Sequence, residues 1–298
     1  MNILTTFVLS MYTDPFFVPP SLNCRGTLVS LERPVILGIL NLTTDSFYKG
    51  SRAIREDEIL EKAGRMISEG ARFIDLGAMS TRPGAPELEE EVEKERLHLA
   101  CSCIRSRFPE VLLSIDTYRV SVLEAIAPYG IHLVNDVSGG AGGEIWDWAA
   151  QYKLPYILMH MKGTPRTMNS LVQYDDLIRE VLDYFIQRIP LLLKKGVHDL
   201  ILDPGFGFAK TVDQNYVLLK NLHVFKLLEF PILVGLSRKS MIWKTLGVTP
   251  EDALHGTTAL HIQALNAGAR LLRVHDVRAA NDTIKVWEKL QGSAPENS

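Results

Sequence analysis

The chain has 298 residues, 46% of them hydrophobic and 22% charged, which is ordinary globular material and enough for one large domain or two small ones. Its 32 Lys and Arg against 35 Asp and Glu leave a formal net charge of -3 with no basic block, which argues against a general nucleic-acid binder. The three cysteines, Cys24, Cys101 and Cys103, form no ligand-like cluster and fit reduced thiols better than a disulfide framework or a zinc site.

Taken in chain order, residues 1–34 are irregular and Pro-containing, with a short strand predicted at 27–31. They are expected to form an N-terminal extension covering one end of the main body. The first ten residues carry no Lys or Arg, and Asp14 and the Pro19-Pro20 pair follow, so this reads poorly as a signal peptide. No run approaches the roughly 20 apolar residues of a membrane span, and a soluble cytoplasmic protein is expected. From Val35 onward one unit recurs, a short apolar strand ending in polar or Gly residues and then a longer amphipathic helix. Strands are predicted at 35–40, 73–76, 111–115, 132–134, 156–159, 200–202, 232–236 and 271–274. Helices are predicted at about 56–69, 88–107, 118–128, 144–152, 174–195, 213–229, 251–267 and 279–290.

Eight βα units in about 260 residues is the count of a closed (β/α)8 TIM barrel. An open doubly wound sheet would announce itself by G-x-G-x-x-G after the first strand, and here Gly38 is followed by Ile39, Leu40 and Asn41. No Pro/Gly/Ser linker divides the chain. The expected organisation is an extension at 1–34, one barrel at 35–292 and a disordered tail at 293–298.

A barrel of this type carries its reactive groups at the C-terminal strand ends. Those positions hold Asn41; Ser80, Thr81 and Arg82; Asp116 and Thr117; Asn135 and Asp136; His160; Asp203; Ser237, Arg238 and Lys239; and Arg273 with His275. Helix caps account for Ser, Thr, Asp and Asn near strand ends, but not for Arg82, Lys239, Arg273 or His275. In the stretch 233–240 an apolar run ends abruptly in two hydroxyls and two cations at a predicted helix start, where an anion would be held. Asp116, Asn135, Asp203 and Lys239 offer alternating donors and acceptors suited to a flat polar heterocycle. Thr81, Arg82, Arg273 and His275, with Asn41 as a neutral oxygen ligand, suit a phosphate or pyrophosphate with a hard divalent cation. Arg273 is read as facing that anion rather than a structural acid. Singly, each residue has a plainer reading: Asp136 as a helix cap, His160 as a satisfied buried histidine, Asp75 as an internal polar contact.

Eight blocks in order carry a family resemblance: 38–47 (GILNLTTDSF), 80–84 (STRPG), 114–117 (SIDT), 135–139 (NDVSG), 158–161 (LMHM), 203–208 (DPGFGF), 235–241 (GLSRKSM) and 273–277 (RVHDV). Distributed in order through the 35–290 region, they resemble the dihydropteroate synthases. The resemblance implies condensation of 6-hydroxymethyl-7,8-dihydropterin diphosphate with 4-aminobenzoate, releasing pyrophosphate, by a largely dissociative displacement in folate synthesis. It implies Asp116, Asn135, Asp203 and Lys239 on the pterin, and Asn41 with Mg2+ and pyrophosphate. Thr81, Arg82, Arg273 and His275 would serve the diphosphate. Ser240 would receive the aminobenzoate carboxylate, with Phe208, Pro83 and the Lys239 stem against its ring. A homodimer, sulfonamide sensitivity and closure of the loops after the first two strands belong to the same expectation.

A pterin-binding methyltransferase barrel would need the pterin acids and the amide but no diphosphate chamber, so Arg82, Arg273 and His275 count against it. A non-catalytic pterin-binding paralog has its support in Lys49 and Met79, two of three departures from the family text. Residues 43–51 read TTDSFYKGS where the family commonly has Thr-Pro-Asp-Ser-Phe-Ser-Asp-Gly-Gly, so Thr44 replaces Pro and Lys49 replaces Asp; Met79 stands where Glu is common. Lys49→Asp is expected to shift the KM for 4-aminobenzoate while leaving pterin affinity within about twofold, or roughly 0.4 kcal/mol. Steady-state kinetics on both proteins check this, and an unchanged KM would make Lys49 a neutral substitution.

Overall fold

The computed structural model describes residues 21–42, 52–79, 88–140, 143–164 and 166–292. The strands are β1 (Ser21–Cys24), β2 (Thr27–Ser30), β3 (Val35–Asn41), β4 (Phe73–Gly77), β5 (Leu112–Asp116), β6 (Leu133–Asp136), β7 (Tyr156–Met159), β8 (Leu200–Asp203), β9 (Ile232–Val234) and β10 (Ala269–Val274). β3 to β10 close into a barrel in sequence order, with β10 pairing β3 and every neighbour parallel. The helices are α1 (Arg52–Glu69), α2 (Glu90–Arg107), α3 (Val120–Ile126), α4 (Glu144–Gln151), α5 (Leu177–Lys195), α6 (Val212–Lys220), α7 (Ser240–Leu246), α8 (Leu254–Asn266) and α9 (Val277–Gln291). This is the (β/α)8 TIM barrel that the unit count predicts. Among the described residues no helix is long and apolar enough to cross a membrane.

Two helical stretches differ from their prediction. The single helix expected over 213–229 is α6 followed by a 3-10 segment, Leu222–Leu228, because the backbone tightens at Asn221, whose side chain donates back to Val217 O. The connection after β9 holds two helices, since Gly247 takes a left-handed φ of 68° and ends α7 before α8 begins.

Strand alternation sorts the side chains into two populations. Outward residues such as Ile36, Ile74, Leu113 and Val134 pack with helix residues such as Leu97, Ile104 and Phe185. Inward residues, one from each strand, make the barrel floor: Leu37, Phe73, Leu112, Leu133, Ile157, Ile201, Leu233 and Leu271. Leu22, Cys24, Val29 and Leu31 complete the same cluster, so the β1–β2 hairpin plugs the N-terminal end. Its two loop residues, Arg25 and Gly26, have φ of 56° and 90°, as a two-residue hairpin turn requires. The Asn23 amide donates to Asp199 Oδ1 (3.0 Å), tying the hairpin to the turn before β8.

Two residues further along, five of the eight strands turn polar toward the interior. The inward positions become Ile39, Asp75, Ser114, Asn135, Met159, Asp203 and Arg273, and this change of layer founds the site. Because the plug lies at the opposite end, Leu22→Ala is expected to lose about 2–5 kcal/mol of stability while turnover per folded molecule stays unchanged. Urea denaturation and activity on the same samples check both.

Candidate active site

The polar layer is organised on Asp75, which is fully buried in β4. Its carboxylate accepts from Ser114 Oγ (2.5 Å), Asn135 Nδ2 (3.2 Å) and Arg273 Nε (2.6 Å). A second guanidinium nitrogen, Arg273 Nη2, donates to Asp116 (2.6 Å) at the end of β5. A buried carboxylate is tolerable only when paired and hydrogen-bonded, and one Arg fork here serves two. Burial pushes the Asp116 carboxyl up to about 7, against the pull of the Arg273 guanidinium. For Arg273, burial opposes the charge, but Asp75 and Asp116 outweigh it and hold the pKa above the usual arginine value. This corrects the expectation that Arg273 lacks a structural acid. Its truncation would strand two buried carboxylates, a loss of about 3–5 kcal/mol.

The segment after β8 supplies the opposite wall. Asp203 ends β8 in register with Met159, and its Oδ1 accepts from the Gly205 amide (2.8 Å). Burial raises its pKa, while the Gly205 N–H and Lys239 draw it back. Lys239 Nζ donates to Phe206 O (2.5 Å) and lies 4.2 Å from the centre of the Phe208 ring. Burial lowers the Lys239 pKa to about 8 although Asp203 favours its charge. Gly207 is required by this approach, since a Cβ there would stand 2.8 Å from Lys239 Cδ.

Of the two cations in the 233–240 stretch, Arg238 is engaged in a bidentate pair with Asp276 (2.9 and 2.6 Å), whereas Lys239 meets the Phe206 carbonyl and the Phe208 ring. Ser237 Oγ lies 3.1 Å from His275 Nδ1 and accepts from the His275 amide. Ser240 opens α7 and is half-buried.

The structure thus brings Asp116, Asn135, Asp203, Lys239 and Arg273 into one cluster, with Phe208 beside Lys239 and His275 one pleat beyond Arg273. Asn41 is the exposed last residue of β3, in register with Gly77. Thr81, Arg82, Pro83, Thr44 and Lys49 lie outside the described residues. Met79 receives a contact from Tyr118 OH, 3.8 Å from its sulfur. Asp136 is not a helix cap: it accepts from its own turn, Ser138 N (2.7 Å) and Gly140 N (2.8 Å), and from Tyr156 OH (2.5 Å). His160 is a satisfied buried histidine, with Nδ1 3.0 Å from Lys210 Nζ.

Sequence reading missed the weight of Asp75 and overlooked Lys210. An acid two residues after Phe73 in an otherwise apolar strand was the available signal for Asp75. Lys210 had none, because a lysine following a glycine-rich turn looks like solvated surface.

The barrel with this cluster at its mouth defines a pterin-binding enzyme, and the model of the family described as "Pterin binding enzyme" matches residues 37–275. The dihydropteroate synthase of Escherichia coli K12 is 41% identical over 278 residues, covering 93% of this chain and 98% of that protein. The chain belongs to the dihydropteroate synthase family. Among solved structures, the Yersinia pestis dihydropteroate synthase with a sulfonamide drug complex superposes with a TM-score of 0.85 at 38% identity, covering 92% of this chain and 100% of that one. The Thermus thermophilus dihydropteroate synthase in complex with 4-aminobenzoate gives 0.82 at 40% identity, covering 91% and 99%. The same protein in complex with 6HMPPP gives 0.79 at 37% identity, with the same coverage.

Burial, with Arg273 and Arg238 nearby, pushes the His275 imidazole down to about 4. It is therefore neutral from pH 5 upward and available as a hydrogen-bond donor or acceptor rather than a cation. A histidine NMR titration of the ligand-free protein should show one resonance, lost in His275→Ala, that stays neutral until well below the ordinary value of about 6.5. Titration near 6.5 would contradict the burial of this ring.

Proposed function

We propose that this chain condenses 6-hydroxymethyl-7,8-dihydropterin diphosphate with 4-aminobenzoate to give 7,8-dihydropteroate and pyrophosphate. The observation that carries the reading is the convergence of Asp116, Asn135, Asp203 and Lys239 on a buried layer held by Arg273. Two carboxylates, an amide and an ammonium in a recessed mouth match the donor and acceptor edge of a pterin. Asp116, Asp203, Lys239 and Arg273 are assigned the catalytic roles, and Asn135 holds the ring edge.

In the displacement the C–O bond to the diphosphate breaks first, and its electron pair leaves with pyrophosphate. The methylene carbon becomes cationic, and the carboxylates of Asp116 and Asp203 stabilise the electron-deficient pterin. The amine nitrogen then gives its lone pair to that carbon and loses a proton. An arylamine needs no strong base to capture a cation, which agrees with a site built of paired charges. Ser240 is assigned to the aminobenzoate carboxylate, with Phe208, Pro83 and the Lys239 stem against the ring. Thr81, Arg82 and His275 are assigned to the diphosphate. Arg273 acts between the two, orienting Asp116 while facing the leaving group.

The donor set fits Mg2+ only as a companion of the substrate. Among the described residues no group of three or more His, Cys, Asp or Glu is placed to hold a metal ion. Asn41 offers one neutral amide oxygen at the mouth, which suits a cation whose other ligands are phosphate oxygens and water. Bound there, Mg2+ would neutralise charge on the departing oxygens. The family resemblance further supports a cytoplasmic homodimer, which light scattering tests by a particle of twice the chain mass.

With both substrates and Mg2+ the protein should release pyrophosphate and form dihydropteroate, and no turnover would overturn the reading. In the same experiment Asp203→Asn is expected to weaken a pterin analogue by about tenfold or more in calorimetric titration, the loss of a charge-assisted hydrogen bond. Wild-type affinity in the folded variant would remove Asp203 from the pterin site.

A further inference from the structure

Residues 203–208, between β8 and α6, place three groups in the site: the Asp203 carboxylate, the Phe206 carbonyl that receives Lys239, and the Phe208 ring beneath the Lys239 ammonium. Nothing in this backbone is regular. Gly205, Gly207 and Ala209 are all left-handed, with φ of 74°, 78° and 49°, and for Ala209 this is a strained conformation. Gly205 also passes so close to β7 that a Cβ would fall 1.9 Å from His160 O. Such a path persists only where the surroundings hold it.

What holds it from inside is Lys210. The side chain is buried, and its Nζ donates to Gly205 O (3.1 Å) and Phe208 O (3.1 Å) and lies 3.0 Å from His160 Nδ1. Lys210 Nζ thus meets two carbonyls on the segment and the His160 ring nitrogen just past the end of β7. His160 is in turn fixed edge-on against Tyr184, at 4.9 Å between ring centres, and Tyr184 OH donates to Met159 O (2.7 Å). From outside, Asn215 accepts from the Gly207 amide (2.7 Å) and Tyr174 OH donates to Ala209 O (3.0 Å). No carboxylate directly contacts the Lys210 ammonium among its described hydrogen bonds, so its burial is compensated by converging carbonyls and an imidazole nitrogen rather than by an ion pair. Burial lowers its pKa to about 7, with Asp203 acting to keep the proton on.

We propose that Lys210, seated on His160, is a positioning residue for the amine half of the site, holding the 203–208 segment so that Phe208 and the Phe206 carbonyl set the aminobenzoate wall and the Lys239 ammonium. This rests on the function proposed above. Lys210 touches neither substrate; it acts through the two carbonyls it gathers. The Asp203 main chain is fixed by β8, and the segment bears on its carboxylate through one bond, from the Gly205 amide, so the effect of losing Lys210 falls mainly on the amine.

The test is a kinetic comparison of wild type, Lys210→Met, His160→Ala, His160→Asn and the distal Leu22→Ala. Asn places a side-chain oxygen close to where the His Nδ1 stood, keeping an acceptor for Lys210 Nζ, whereas Ala removes it. Lys210→Met is expected to raise the KM for 4-aminobenzoate by about tenfold or more, the scale of an ångström misplacement of a contact group, and to change pterin affinity by about threefold or less. His160→Ala should raise the same KM, and His160→Asn should restore it to within about twofold of wild type. Leu22→Ala, destabilised but remote, should leave it unmoved. An unchanged KM in folded Lys210→Met, or equal impairment of His160→Ala and His160→Asn, overturns the proposal. Where Lys210→Met yields no folded protein, the two His160 variants decide alone. An inactive wild type would instead refute the enzymatic reading, while an active wild type with unmoved variants refutes only the role of Lys210.

Discussion

Arg273 lies between two buried carboxylates, 2.6 Å from Asp75 on one side and 2.6 Å from Asp116 on the other. Much of the site follows from that arrangement. A barrel interior must be filled, and below this level it is filled with one apolar side chain per strand. At this level charge replaces hydrocarbon, and charge in a low-dielectric interior is stable only as a closed set of partners. Asp75 demands Ser114, Asn135 and Arg273; Arg273 in turn fixes Asp116. Asp116 and Asn135, two of the proposed pterin contacts, therefore inherit their orientation from a network centred on the buried Asp75.

That prior pairing matters for the chemistry. A displacement in which the leaving group departs early needs charges already in place where charge develops, and little else. Groups locked by neighbours do not reorganise during the reaction. Asp116 is held by Arg273, Asp203 by the Gly205 amide, and Lys239 by the Phe206 carbonyl and the Phe208 ring. The neutral state of His275 adds a hydrogen-bonding group without adding to the positive charge already carried by Arg273 and Lys239.

The two walls are built differently. β4, β5, β6 and β10 present their groups directly from strands, where the pleat sets the direction and the Asp75–Arg273 network holds it. The wall after β8 is a left-handed, glycine-rich path that needs Lys210 inside it and Asn215 and Tyr174 outside it.

The barrel was legible in the chain because its signals are local. Period-2 apolar strands, helical spacing and eight repeats of one unit are carried within short windows, and the inward polar residues at strand ends follow from the same alternation. Asp116, Asn135, Asp203 and Lys239 were found at the strand ends, and Phe208 through the family resemblance that the ordered blocks carry. The hairpin plug was half visible, since β2 was predicted and its partner β1 was not. What the chain alone could not decide was who pairs with whom across the closed barrel. Arg273 and Asp75 are 198 residues apart, and Arg273 and Asp116 are 157 apart. Arg238 looked like an anion ligand until Asp276 was seen to hold it, and Lys210 carried no signal until two carbonyls and the His160 ring nitrogen were seen around it. Local spacing determines which face a side chain takes; only barrel closure determines which distant charge it meets there, because electrostatic pairing depends on distance in space and not on distance along the chain.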